Sequence, residues 1–107
     1  MSVTDSTIGE LAINSGGGDD VLSLQANAGD LEVRTGGGND EVIINEASSI
    51  INANFNIGGG DDLLTLDANF EGEIIASGGA GSDSLNYIEG ETINDSGFEV
   101  RTQSVNP

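Results

Sequence analysis

A phrase of glycines closed by an acidic residue occurs four times in this chain: SGGGDD at 15–20, TGGGND at 35–40, IGGGDD at 57–62 and, one residue longer, SGGAGSD at 77–83. The closing acids, Asp20, Asp40, Asp62 and Asp83, recur at spacings of 20, 22 and 21. A fixed period of this length is the mark of a chain built by stacking one unit. Glycine also carries the largest ordering entropy of any residue. Three glycines at every return therefore demand a specific structural use.

Each phrase is followed by a short alternating run: DVLSL at 20–24, DEVII at 40–44, DLLTL at 62–66 and DSLNY at 83–87. Leu22 and Leu24, Val42 and Ile44, Leu64 and Leu66, and Leu85 and Tyr87 stand two apart, as one face of a strand requires. A second run precedes each phrase: ELAIN at 10–14, DLEVR at 30–34, NANFN at 52–56 and EIIA at 73–76. FEVRT at 98–102 reads as a fifth copy of this second run, closing the array. Each unit is thus strand, glycine turn, strand, second turn, with no room for the crossover helix that ordinary parallel sheets use. The expected fold is all-β, a parallel β-helix or β-roll of about four two-strand coils, with residues 1–107 as a single repeat domain. Paired aliphatics recurring in register argue against a disordered acidic linker. Two turns that differ from each other, yet each resemble their own copies, argue against an antiparallel sandwich.

Composition narrows the functions open to such a stack. Nineteen Asp and Glu against two Arg and no Lys give a formal charge of −17, which disfavours nucleic acid and anionic membrane surfaces. There is no His and no Cys, so the commonest general base, the thiolate and the usual ligands of softer metals are missing. No catalytic constellation stands out from the periodic acids, and the expectation is a protein that is not an enzyme. Arg34 and Arg101 are expected as surface partners of nearby Glu residues. The N-terminal stretch MSVTDSTIGELAINS has neither a basic segment nor an apolar run, so it does not read as a signal peptide. No stretch approaches membrane-spanning length.

Stacking places equivalent residues of neighbouring rungs roughly 4.8 Å apart. Asp20, Asp40, Asp62 and Asp83 then form a carboxylate ladder, each adjacent pair repelling by roughly 3–4 kcal/mol at an effective dielectric of about 20. A cation between rungs would relieve this. Glycine turns can point several carbonyl oxygens inward, and calcium is the ion that accepts irregular mixtures of carboxylates and carbonyls. Asp19, Asn39, Asp61 and Ser82, beside the ladder, are expected to face solvent rather than the ion.

At this point the chain resembles the haemolysin-type calcium-binding repeats of the RTX (repeats-in-toxin) family, whose nonapeptide is G-G-x-G-x-D-x-U-x with U a large aliphatic residue. GGAGSDSLN at 78–86 matches every defined position, and SGGGDDVLS at 15–23, TGGGNDEVI at 35–43 and IGGGDDLLT at 57–65 depart only at the first glycine. The resemblance implies a right-handed roll with calcium between successive loops. The ligands would be the carboxylates of Asp20, Asp40, Asp62 and Asp83. They would be joined by carbonyls of Gly16 and Gly18, Gly36 and Gly38, Gly58 and Gly60, and Gly79 and Gly81. Ser15, Thr35 and Ile57, at the first position, would leave their carbonyls available. The usual roll carries the motif on both edges and an 18-residue coil. Here the coil is longer and the second turns (ANAG, EASS, ANFEG) lack the motif, so about three ions are expected, along one edge only.

The function this resemblance implies is a module of a larger secreted chain that folds on meeting extracellular calcium, in a structural or secretion-assisting role. Export would follow a route without an N-terminal signal. The alternative is a self-assembling subunit of a filament or surface layer. There FEVRT of one copy would pair with ELAIN of the next, and residues 88–97, IEGETINDSG, would cover an edge or dock a partner.

Overall fold

The alternation in VLSL, EVII and LLTL sends every second side chain to one side of the backbone, and burying that side requires a second layer facing it. A computed structural model shows how the chain supplies this layer from its own coils; it describes residues 2–45, 48–88 and 93–104. The strands are β1 (Ser2–Asn14), β2 (Val21–Arg34), β3 (Glu41–Ile44), β4 (Ser49–Asn56), β5 (Leu63–Leu66), β6 (Asn69–Phe70), β7 (Ile74–Ser77), β8 (Ser84–Ile88), β9 (Ile93–Ser96) and β10 (Val100–Ser104). No helix occurs among the described residues, and every strand pairing is parallel. The fold is a β-solenoid of about four turns.

Two stacks of strands face each other. One follows the glycine phrases and runs from Ser2–Thr4 of β1 through the start of β2 to β3, β5, β8 and β10. The other precedes them and runs from Glu10–Asn14 of β1 through the end of β2 to β4, β7 and β9. β1 and β2 are long because they continue unbroken around the second turn. Register is held residue by residue: Leu22 lies on Val42, Leu64 and Leu85, and Val33 on Phe55 and Ala76. These aliphatics fill the interior, with Leu24, Val42, Ile44, Leu64 and Phe55 fully buried. Phe55 meets Phe70 of the second turn edge to face, centroids 6.5 Å apart, in the geometry aromatic pairs prefer.

The end of the array differs from the sequence expectation. FEVRT is not a fifth copy of the run before the phrase, because Val100–Ser104 pairs with β8 and so belongs to the stack that follows the phrases. The fifth copy of the preceding run is β9, INDS, inside the stretch expected as a long second turn. The turn between β9 and β10 is only Gly97–Phe98–Glu99, half the length of the earlier ones, which hides it from a search by period. The proposed pairing of FEVRT with ELAIN of a second copy therefore joins two different stacks. A copy continuing the coil would instead lay Ser2–Thr4 on Val100–Ser104.

The last rung also turns polar inside. Asp95 takes the place that Phe55 and Ala76 hold below it, and Arg101 the place of Leu64 and Leu85. Their side chains pair at 3.1 Å, and the guanidinium lies 5.5 Å from the centre of the Tyr87 ring. A terminal coil with a polar outer face is what keeps a solenoid from growing by apolar stacking. Arg101 thus pairs with Asp95 rather than a glutamate, whereas Arg34 pairs with Glu32 at 3.2 Å as expected.

Candidate metal centre

The glycine edge is made by residues most of which no other residue could replace. Gly16, Gly18, Gly36, Gly38, Gly58, Gly60, Gly79 and Gly81 all have φ between 73° and 114°, where side chains are strained. A Cβ on Gly36, Gly38, Gly58, Gly60, Gly79 or Gly81 would overlap the carbonyl oxygen of the equivalent glycine one rung earlier. The carbonyls of Gly16, Gly18, Gly36, Gly38, Gly58 and Gly60 are thus aimed along the stack at the next loop. The loops also bond directly, Gly18 N–H to Gly37 O and Gly38 N–H to Gly59 O, both at 3.0 Å. The glycines are needed for their backbone conformation and for this close approach.

Beside the glycines stand two side-chain ladders. In the first, each backbone N–H donates to the acid of the following rung: Asp20 N–H to Asp40 Oδ1 at 2.8 Å, Asp40 N–H to Asp62 Oδ1 at 2.7 Å, and Asp62 N–H to Asp83 Oδ1 at 3.0 Å. Glu99 completes the series, its Oε1 accepting from Asp83 N–H at 2.7 Å. In the second, exposed ladder the sense is reversed, with Asn39 N–H donating back to Asp19 Oδ1, Asp61 N–H to Asn39 Oδ1 and Ser82 N–H to Asp61 Oδ1. The residues expected to face solvent do so, and they bind the rungs together as well. Asp20, Asp40 and Asp62, the whole of the second ladder and the first residues of the strands after them line one groove of about 340 Å³.

Asp40, Asp62 and Asp83 each spend one oxygen on this bonding and keep the other unused, while Asp20, in the first loop, has no earlier loop to accept from. Oδ2 of Asp20, Asp40, Asp62 and Asp83 is shut from solvent and has no hydrogen-bond partner. A buried carboxylate oxygen left this way is costly, and four in register are not accidental packing. Burial is the main force pushing the Asp62 carboxyl up, to about 6. The Asp40 N–H pulls it back, and the charges of Asp83 and Asp40 push it further up. Asp83 is raised as well, first by burial, against the Asp62 N–H, and then by the charge of Glu99.

An unfolded aspartate titrates near 3.8, so between about pH 4 and 6 the folded chain keeps a proton on Asp62 that the unfolded chain has lost. Stability of the metal-free protein is therefore expected to fall as pH rises through that window. Melting in chelator from pH 4 to 7 checks this, and the slope should shrink in Asp62→Asn. A melting temperature that climbs with pH would contradict it.

The expected ligands are brought together in part. Asp20, Asp40 and Asp62 share one groove wall, of which Asp83 is not a part, and the remaining oxygens are carbonyls. Among the described residues no group of three or more Asp or Glu side chains could by itself hold a metal ion. At the first motif position the carbonyls are not all available: Thr35 O accepts from Ser15 Oγ at 3.3 Å, and Ile57 O from Thr35 Oγ1 at 2.6 Å. The sequence reading missed Glu99, whose spacing from Asp83 is 16 rather than about 20. The signal for it was Gly97 after an alternating INDS.

The fold and this edge define a class: a β-solenoid carrying a ladder of buried, half-satisfied carboxylates along one side. Comparison of the chain with protein-family models, with curated proteins and with solved structures finds no match in any of the three.

Proposed function

We propose that this chain is a calcium-binding solenoid module, with a structural or secretion-assisting role outside the cell and without catalytic activity of its own. The observation that carries the reading is the row of four buried Oδ2 atoms without partners. A cation near each would supply the missing interaction and offset repulsion between rungs. All the available donors are oxygens, and His and Cys are absent, which fits calcium far better than a softer metal. Magnesium, which demands a regular octahedron and keeps its waters, fits irregular loop carbonyls poorly. Asp20, Asp40, Asp62 and Asp83 would hold the ions, with loop carbonyls completing the shell. One or two carboxylates per ion correspond to the modest affinity of extracellular calcium modules, which are filled outside cells and empty within.

Ions bound only by the folded state add to its stability. Millimolar calcium is expected to raise the melting temperature of the chelator-treated chain by roughly 10 °C or more, with magnesium giving much less. Equal melting temperatures in calcium, magnesium and chelator would sink the reading. End-to-end assembly is the weaker alternative, because a further coil stacked on the last rung would bury the Arg101–Asp95 pair.

A further inference from the structure

The four loops differ at one place. The first motif position holds Ser15, Thr35 and Ile57 in the first three loops and Gly78 in the fourth. In the first three a side chain stands there: the hydroxyls of Ser15 and Thr35 bond the next rung's carbonyl, and Ile57 is fully buried. At Gly78 the space is bounded by oxygens instead. A Cβ built there would lie 2.6 Å from the carbonyl oxygen of Gly97 and 2.9 Å from Oδ2 of Asp83.

The facing turn contributes in the same direction. Gly97 has φ 77°, and its carbonyl points back at the fourth loop, whereas the glycine carbonyls of earlier rungs point forward. A Cβ on Gly97 would in turn stand 2.9 Å from the Gly79 nitrogen and 3.1 Å from its carbonyl oxygen. The Gly97 carbonyl and Asp83 Oδ2 thus border one space, with the Gly79 carbonyl near its edge. Asp83 is 1% exposed and its Oδ2 has no partner. The Glu99 carboxylate is tied to the same residue through Asp83 N–H.

We propose that the gap between the fourth loop and the Gly97–Glu99 turn is a further calcium site, lying outside the repeats and binding more tightly than the intervals within them. Its ligands are Asp83 Oδ2, the carbonyls of Gly79 and Gly97, and the carboxylate of Glu99. Asp83 Oδ2 and the Gly97 carbonyl oxygen border one side-chain-free space beside Gly78, so both can be drawn onto one ion of calcium size, whose bonds to oxygen run about 2.3–2.6 Å. Tighter binding follows from the glycine. No side chain has to move, and the exposed Glu99 carboxylate can adjust to the ion. This rests on the reading of the edge as calcium-binding and adds a fourth interval to the three the repeats define.

The test is calorimetric titration of calcium chloride into the full, chelator-stripped chain. Glu99→Gln keeps an oxygen for Asp83 N–H and removes the charge, and Gly78→Ala sets a methyl between the two oxygens. Each is expected to weaken the tightest step at least tenfold and lower the ion count by one. Glu71→Gln, on the second turn, controls for lost charge and should titrate as the parent. Circular dichroism in saturating calcium checks that each variant folds; should Glu99→Gln fail, Glu99→Asp, which withdraws the carboxylate by one methylene, is read in its place. A parent that binds calcium while these variants titrate identically would overturn the terminal site alone. A parent that takes up no calcium would remove the calcium edge and this site together.

Discussion

Gly60→Ala is expected to destabilise the protein by roughly 3 kcal/mol or more, with the calcium-dependent rise in melting temperature reduced along with it. Gly60 has φ 114°, a conformation that alanine adopts only under strain. Its new methyl would overlap the carbonyl oxygen of Gly38 in the rung before. Relief would require the loop to lift away from that rung, breaking the bond from Gly38 N–H to Gly59 O. Gly59→Ala makes the contrast, since a Cβ there meets nothing within 4 Å and the backbone is not at positive φ. It should change stability by less than about 1 kcal/mol. The fourth loop already carries Ala80 at this middle position. Urea unfolding of the two variants separates them, and equal midpoints would mean that the loops are not stacked as described.

The second large effect is expected at the centre of the core. Phe55→Ala should cost about 3–5 kcal/mol, a large share of the total stability of a small domain. Phe55 is fully buried, lies in register between Val33 and Ala76, and meets the edge of Phe70. Its neighbours in register, Val33 and Ala76, are small and are held at fixed spacing by the backbone ladder, so the coil cannot collapse into the space left behind. Ile51→Ala, in the same strand but 48% exposed, should change stability by no more than about 0.5 kcal/mol. Denaturant midpoints again decide, and a tolerant Phe55 would argue for a loosely packed interior.

The stacking was legible in the sequence because it repeats. Four acids in near-constant period and paired aliphatics after each were enough to place Leu22, Val42, Leu64 and Leu85 on one face. What was not legible was whatever lacked a copy. The last turn is three residues long, so Gly97 and Glu99 fell out of period, β9 was read as turn, and β10 was assigned to the wrong stack. Side-chain direction was hidden for a different reason. Whether an aspartate on a loop faces solvent, a neighbouring N–H or an ion depends on contacts between rungs. Those contacts turned one oxygen of Asp40, Asp62 and Asp83 to the backbone and left the other without a partner. The same blindness affected Ser15 and Thr35, whose hydroxyls occupy carbonyls that the motif alone would have left free.

The most direct test of the account is far-ultraviolet circular dichroism of the chelator-treated chain during a calcium titration, with magnesium as the parallel control. The expected result is a gain of β-structure with calcium that magnesium does not reproduce. β-structure already complete in chelator, and indifferent to calcium in both signal and melting, would contradict it, leaving the glycine phrases as tight turns and the ladder as a strained but ion-free edge.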